Sequence, residues 1–277
     1  VFANGSVAEN QYYQVAVDGN GAITSWKDKA RNNREWVRQI DGLRINDLGA
    51  GTGSIRVEND GAVSVTLVAE SDSPLQHTSR ITLFRDLPRI EIQNEIRQNF
   101  DAAQMWSFGF NVENPNVWHE EVGAVINARL TTDGGHYSPR AGNSRYDWLT
   151  LNHFADMSAV DAGVTLSNAD CYFMRLGKST VAQLDTDSPQ ISVLAGGRVV
   201  GTGSGIYDQG GADYFLQKFA LQSHDEYDAA SAMKFALEHQ NPFLTGEVQG
   251  TDGYPGNQYS FLIVDNPNVL VWALKPA

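Results

Sequence analysis

The sequence predicts an all-β protein, a large sandwich with about one short helix near residues 224–239. Three observations support this prediction. Apolar residues alternate with polar ones in many short runs, which is the period of a strand with one buried face. Turn-forming residues separate these runs, and the 277 residues include 26 glycines and 9 prolines. Only one segment combines helical spacing with a start signal and a stop signal, so β-structure dominates.

The first predicted element is a β-hairpin over residues 12–26. Tyr13, Val15 and Val17 alternate with polar or small residues, and the Asp18-Gly19-Asn20-Gly21 that follows is typical of a chain reversal. The same patterns predict further strands over residues 63–67, 81–83, 90–96, 122–130, 191–194, 214–221, 259–264 and 269–274. About a dozen short strands with dense turns are typical of a sandwich.

The helix prediction rests on signals at both ends of the segment. Ser223 and Glu226 have the spacing of a capping box, in which Ser223 caps the first turn and Glu226 bonds back to it. Apolar residues then recur at helical intervals, and Asn241-Pro242 ends the run. No repeat, low-complexity segment or shift in composition divides the chain, so residues 1–277 are predicted to form a single domain.

The charge balance argues against two classes of partner. With 20 Lys and Arg against 33 Asp and Glu, the formal net charge of −13 is unsuited to nucleic-acid phosphates and to anionic membrane surfaces. The longest apolar runs are far shorter than the roughly 20 residues of a membrane-spanning helix. The one cysteine, Cys171, lies in an apolar run and is predicted to be buried and inert. An acidic, disulfide-free sequence suits a bacterial cytoplasm.

Motifs for metal binding and nucleophilic catalysis are missing from the sequence, which lacks His-Glu-x-x-His, Cys-x-x-Cys and Gly-x-Ser-x-Gly. His77, His136 and His239 have polar neighbours in the sequence and are predicted to lie at the surface or in turns. His119 is followed by two glutamates and is predicted to belong to a solvated charge run. The glycine-rich stretch 49–53 lacks the lysine and the helix of a phosphate loop and is predicted to be a hairpin turn.

One segment, residues 134–156, has the composition of a sugar site. It contains Tyr137, Arg140, Asp147 and Trp148. A sugar site needs aromatic rings that stack on CH groups and charged groups that bond hydroxyls. Asp147 is expected to have a raised pKa if it shares a desolvated position with Trp148. The alternative interpretation is a long irregular loop whose aromatic residues plug the sandwich.

Several segments, taken in order, resemble one family. The run that begins Tyr12-Tyr13-Gln14-Val15 and continues through Asp18-Gly19-Asn20-Gly21 to Trp26-Lys27-Asp28-Lys29 resembles the opening hairpin of the C-terminal β domain in family 38 glycoside hydrolases, the α-mannosidases. The resemblance continues through residues 33–37, 147–149, 154–156, 163–168, 236–242 and 273–277. It therefore covers nearly the whole chain.

The resemblance implies a large β-sandwich of the galactose-mutarotase-like kind. It also implies a parent enzyme that hydrolyses α-mannosides with retention, using an Asp nucleophile and a divalent metal, usually zinc. Because those groups belong to an N-terminal catalytic barrel, no catalytic residue, metal ligand or cofactor is carried onto this sequence. The chain is interpreted as a domain excised from a longer polypeptide, whose catalytic barrel and mannose-containing glycan are its expected partners.

Loops of the β domain approach the sugar cleft in complete enzymes of this family. The resemblance places Tyr137 and Arg140 in one such loop and Asp208 in another. Together with Asp147 and Trp148, these are the predicted substrate-proximal residues.

Two other hypotheses remain open. The first is a free-standing sugar-binding or aldose-epimerase-like protein on the same fold. An epimerase needs a carboxylate base and a histidine acid facing one sugar ring, and His153 or His224 could supply the acid. The second is a purely structural module whose only partner is the barrel.

Overall fold

The computed structural model describes residues 1–139, 145–199, 207–243, 246, 260–271 and 274. In chain order, the strands are β1 Phe2–Asn4, β2 Val7–Glu9, β3 Tyr13–Val17, β4 Ile23–Asp28, β5 Arg34–Glu35, β6 Ile45–Asp47, β7 Gly53–Asp60, β8 Ser64–Ser71, β9 His77–Phe84, β10 Ile90–Ile96, β11 Gln104–Gly109, β12 Asn116–Glu121, β13 Ala124–Asn127, β14 Leu149–Thr150, β15 Phe154–Ser158, β16 Gly163–Asn168, β17 Phe173–Leu176, β18 Gln190–Gly196 and β19 Phe215–His224. One α-helix, α1, spans Ala229–Gln240. Across the described part of the chain, no helix is long and apolar enough to cross a membrane.

The strands form two antiparallel sheets. The first has the order β1-β2-β3-β4-β6-β11-β18-β17-β14, with β5 paired to β4, and the second has the order β13-β12-β15-β16-β19-β10-β9-β8-β7. One buried cluster takes side chains from both sheets, including Trp106 and Phe108 from the first and Ile81 and Phe219 from the second. The predicted all-β sandwich with one helix is therefore confirmed.

The predicted hairpin over residues 12–26 is present as β3 and β4. Tyr13, Val15 and Val17 point into the core, and Val15 pairs with Trp26 across the two strands. Trp26 is fully buried and meets the edge of the Tyr13 ring at a centroid distance of 5.3 Å. Burial of an apolar side chain of this size stabilises the fold by roughly 1.5–3 kcal/mol.

The helix begins later than its sequence signals predict. Asp228, not Ser223, caps α1, and its side chain accepts a hydrogen bond from the backbone N–H of Ser231. Ser223 is a residue of β19, where it pairs with Val164, and its hydroxyl donates to Asp28 at 2.7 Å. The predicted cap was wrong because the strand ladder continues through Ser223. The predicted end is confirmed, since the helix stops at Gln240.

Two other predicted elements differ from the structure. Residues 122–130 are not one strand, because Val122 and the glycine after it adopt positive φ angles and turn the chain before β13. Residues 49–53 are not a hairpin turn, since they lead from β6 in the first sheet to β7 in the second. Gly53 suits this crossing, because a Cβ there would lie 2.2 Å from the carbonyl oxygen of Gly19.

The two C-terminal strand predictions are not supported. Residues 260–264, 269–271 and 274 are described, and none of them lies in a strand, while the remaining residues of the two runs are outside the described part. Phe261 is 81% exposed. An apolar run forms a strand only where it can pair with a sheet edge and pack against a surface. Sequence periodicity gives no information about either.

The polar sequence neighbours of three histidines predicted surface positions, and the structure differs at two of them. His136 is exposed, as predicted. His77 is buried in the core, where its ring nitrogens contact the carbonyl oxygens of Leu75 and Asn20 at 2.7 and 2.9 Å. His239 on α1 is partly buried and bonds a serine hydroxyl of β16 at 2.8 Å. These two predictions were wrong because facing strands, not sequence neighbours, provide the surroundings.

Candidate functional site

The segment after β13 places Tyr137 against a buried histidine. The Tyr137 hydroxyl lies 3.0 Å from Nε2 of His119, and the two rings stack at a centroid distance of 6.1 Å. His119 is fully buried, and burial lowers its pKa to about 4. The predicted solvated charge run was therefore wrong at His119, whose imidazole is neutral at pH 7.

Asp147 forms an ion pair with Arg145, and the pKa of its carboxyl is not raised. Arg145 grips it with two hydrogen bonds, from Nε at 2.7 Å and from Nη2 at 2.5 Å. These bonds from Arg145 outweigh the effect of burial and hold the pKa of the Asp147 carboxyl below its usual range. The expectation of a raised pKa was wrong, because the guanidinium of Arg145 stabilises the ionised carboxylate of Asp147.

The aromatic residues of the same segment pack against the protein. Tyr146 is buried, meets the edge of Tyr137 at 6.5 Å and donates its hydroxyl proton to a backbone carbonyl. The Trp148 indole N–H donates to the carbonyl oxygen of Val199 at 3.1 Å, and the Arg175 guanidinium lies 5.6 Å from its ring. These contacts favour the interpretation that Tyr146 fills the end of the sandwich. Tyr137 and Trp148 lie next to it in the same segment and also contact the protein.

The remaining predicted site residues do not join this group. Arg140 lies outside the described residues. Asp208 lies in the 3-10 turn Tyr207–Gly211, where its backbone carbonyl accepts a hydrogen bond from Asn99. Among the residues that the structure describes, no hydrogen bond or ring contact connects Asp208 with Tyr137 or Trp148. The role of the five residues near a sugar stays a prediction.

Sequence reasoning named His153 and His224 but missed their buried carboxylate partners on the outer face of the second sheet. Nδ1 of His153 lies 2.7 Å from Glu120, and Nε2 of His224 lies 2.7 Å from Asp156. Both carboxylates are fully buried. Strand alternation puts Glu120 on the same face as Trp118 and Asp156 on the same face as Phe154, but only the strand register reveals their partners.

Neighbouring groups saturate the Asp156 carboxylate. Thr165 donates to it at 2.6 Å, and Ser158 also donates to it. Burial disfavours the His224 imidazolium, but the hydrogen bond and charge of Asp156 outweigh this, so the pKa of His224 is raised. The other ring nitrogen of His224 lies 3.1 Å from the carbonyl oxygen of Asp225, so both nitrogens are engaged within the protein.

Helix α1 covers this polar face. Phe154 of β15 packs with Ala232, Met233 and Ala236 of the helix in a second, smaller buried cluster. The helix contacts β15, β16 and β19. The bond between His224 and Asp156 joins β19 to β15, and His224 lines a small pocket together with Ser231 and Ala232 of the helix.

The resemblance implies a zinc ion in the parent enzyme, but the described residues of this chain provide no group of side chains that could bind one. No three His, Cys, Asp or Glu side chains among them are grouped so that they could hold a metal ion. Cys171 is buried, as predicted, and burial raises the pKa of its thiol, which keeps it protonated.

The fold is thus that of a two-sheet antiparallel β-sandwich, and solved structures share it. No protein-family model and no curated protein matches the sequence. An α-mannosidase from Enterococcus faecalis superposes with a TM-score of 0.64 and 12% identity over 90% of this chain. A family 38 glycosyl hydrolase protein from the same organism gives a TM-score of 0.63 and 12% identity over 87% of it.

This chain spans 33% of the length of each of those two structures. A galactose mutarotase-like protein from Lactobacillus casei gives a TM-score of 0.48 and 12% identity, over 79% of this chain and 99% of that one. At 12% identity, the similarity to the two Enterococcus faecalis structures establishes the fold of this chain.

Proposed function

We propose that the chain is the non-catalytic β-sandwich domain of a retaining, metal-dependent α-mannosidase-type glycoside hydrolase. The observation that carries the proposal is the superposition of 90% of this chain on one third of an α-mannosidase. In the proposed enzyme the domain packs on the catalytic barrel and borders the sugar cleft.

The chemistry of the described residues supports a non-catalytic role. Retaining glycosidases need two carboxyl groups that face one glycosidic bond. The most deeply buried carboxylates here, Glu120 and Asp156, accept hydrogen bonds from their own neighbours. Asp147 is paired with Arg145. We therefore assign the nucleophile and the metal ligands to the barrel of the proposed parent.

The contribution of this domain to the cleft would come from its loops. Tyr137, Asp147, Trp148 and Asp208 remain our candidates for residues near a mannose-containing glycan, with Arg140 outside the described part. Asp147 suits this role as an ionised acceptor whose direction Arg145 fixes.

A free-standing sugar-binding or aldose-epimerase-like protein on the same fold is the alternative, and one observation favours its epimerase form. Both histidines that this alternative names, His153 and His224, lie 2.7 Å from a carboxylate. The geometry of His224 opposes it, because both ring nitrogens are engaged inside the protein and none faces a ligand.

Activity measurements on two forms of the protein separate these proposals. The 277-residue chain and the native polypeptide from source cells are each assayed with an aryl α-mannoside and with an aldose mutarotation assay. We expect hydrolysis by a longer native polypeptide, its loss with a chelator, and no activity of the 277-residue chain. Mutarotation catalysed by the 277-residue chain would replace our proposal with the alternative.

A further inference from the structure

A pocket of about 360 Å³ opens between the start of β19 and the segment that leads into β17. Tyr172 and Phe173 line it from that segment, and Phe215 and Leu216 line it from β19. Tyr172 is 74% exposed and Phe173 is 40% exposed. Ligand pockets are lined mainly by apolar and aromatic side chains with a few polar groups, and this pocket has that composition.

The floor of this pocket is fixed by hydrogen bonds. Gln217 is buried there, accepts a hydrogen bond from the Trp106 indole at 2.6 Å and donates one to the carbonyl oxygen of Ala195 at 2.5 Å. Gly197 at the rim has a φ of +94°, and a Cβ there would lie 2.2 Å from the carbonyl oxygen of Ala102. The pocket is therefore formed before any ligand arrives.

One carboxylate at the pocket is oriented and can accept further hydrogen bonds. Oδ2 of Asp170 accepts a hydrogen bond from the backbone N–H of Lys218 at 2.8 Å. This bond sets the direction of the carboxylate, whose second oxygen retains its acceptor capacity at the exposed rim. The pocket thus combines aromatic side chains with an oriented side-chain acceptor.

We propose that this pocket binds one pyranose ring of a neutral glycan. The exposed aromatic ring of Tyr172 would stack on the CH face of the sugar while Asp170 accepts from its hydroxyls. The volume lies at the lower end of ligand pockets, which fits one ring better than a longer oligosaccharide. Asp170 and the net charge of −13 disfavour acidic sugars.

The site goes beyond the proposed function, because it adds a sugar-binding position to this chain itself. Trp148 is next to the pocket, since it donates to the carbonyl of the lining residue Val199. Asp208 precedes Gln209, which also lines the pocket. Two predicted substrate-proximal residues are therefore direct neighbours of residues that line it.

The test is a titration of the ¹⁵N-labelled 277-residue chain with methyl α-mannopyranoside and, separately, with methyl β-galactopyranoside. We expect weak, saturable amide shifts at residues 170–173 and 215–217 with at least one of these sugars. Tyr172→Ala and Asp170→Asn should each weaken binding about tenfold, which corresponds to roughly 1.4 kcal/mol. Asparagine can still accept the bond from Lys218, so Asp170→Asn keeps the local fold.

The matched control is Tyr214→Ala, which removes an exposed aromatic ring that lies beside Arg97 and does not line the pocket. It should bind sugar as the unmodified chain does, and thermal melting verifies that each variant is folded. Absence of shifts at these amides with both sugars overturns the inference, as do shifts that Tyr172→Ala leaves unchanged. Hydrolysis by the native polypeptide is measured separately, so failure of this pocket and failure of the proposed function give different results.

Discussion

A neutral imidazole inside the sandwich, that of His119, makes the stability of the protein depend on pH. Its folded pKa of about 4 lies below the ordinary value of 6.5, chiefly because of burial. The unfolded chain therefore binds a proton more readily than the folded one, so the stability from this group is present above pH 6.5 and is lost as the pH falls towards 4.

We predict that His119→Gln reduces this loss by roughly 3 kcal/mol across that pH window. Glutamine can still bond the Tyr137 hydroxyl but does not titrate. His239, whose pKa burial also lowers to about 4, should contribute a slope of the same sign. Urea unfolding between pH 7.5 and 4.5 measures the effect. Replacing exposed His136 by Gln is the control, and an unchanged slope in His119→Gln would refute the prediction.

The pair of His224 with Asp156 acts with the opposite sign. Because the folded pKa of His224 is raised, its stabilising effect is complete below pH 6.5 and is lost as the pH rises through the folded value. We predict that Asp156→Asn lowers the pKa of His224, as followed by NMR of the imidazole carbon-bound protons. Replacing exposed Asp187 by Asn is the matched control, and a pKa that stays raised in Asp156→Asn would contradict our account.

The start of α1 illustrates what a local sequence signal omits. Ser223 and Glu226 have a capping-box spacing, yet β19 pairs with β16 as far as His224 and leaves the cap to Asp228. Local propensity could not anticipate this result, because the register of a neighbouring strand decided it. The hairpin of β3 and β4 could be predicted because its turn and its alternation lie within one short segment.

For this helix, we predict that Asp228→Ala lowers the free energy of unfolding by about 1 kcal/mol, because the N-cap hydrogen bond is lost. Hydrogen exchange at the first-turn amides of α1 should then accelerate, while exchange in the core strands changes little. Ser223→Ala is the comparison, and it should weaken the contact with Asp28 without loosening the first turn selectively. If first-turn exchange became faster in Ser223→Ala and not in Asp228→Ala, Ser223 would be the cap, as the capping-box prediction has it. That result would contradict the structure.

The whole molecule joins its two sheets through buried polar contacts as well as through its apolar core. Ser223 of the second sheet meets Tyr13 and Asp28 of the first, at 3.0 and 2.7 Å. Arg31 adds an ion pair to Asp28 at 2.6 Å. Burial raises the pKa of Asp28, but the bonds from Ser223 and Arg31 outweigh this and lower it overall, so the carboxylate stays ionised at neutral pH.

The architecture could be predicted from the sequence much further than the site could. Alternation and turns are properties of short segments, and they sufficed for a sandwich with one helix. The His224–Asp156 pair joins residues 68 positions apart, and one pocket is lined by both Tyr172 and Phe215. Such groupings arise from strand order and register, which composition does not contain.

The central claim is that this chain is one domain of a larger α-mannosidase-type enzyme, and the mass of the native polypeptide tests it most directly. An antibody raised against the 277-residue chain would be used to blot extracts of source cells. Our account predicts a band much larger than 30.4 kDa, whose immunoprecipitate hydrolyses α-mannosides. A single band at 30.4 kDa would contradict it.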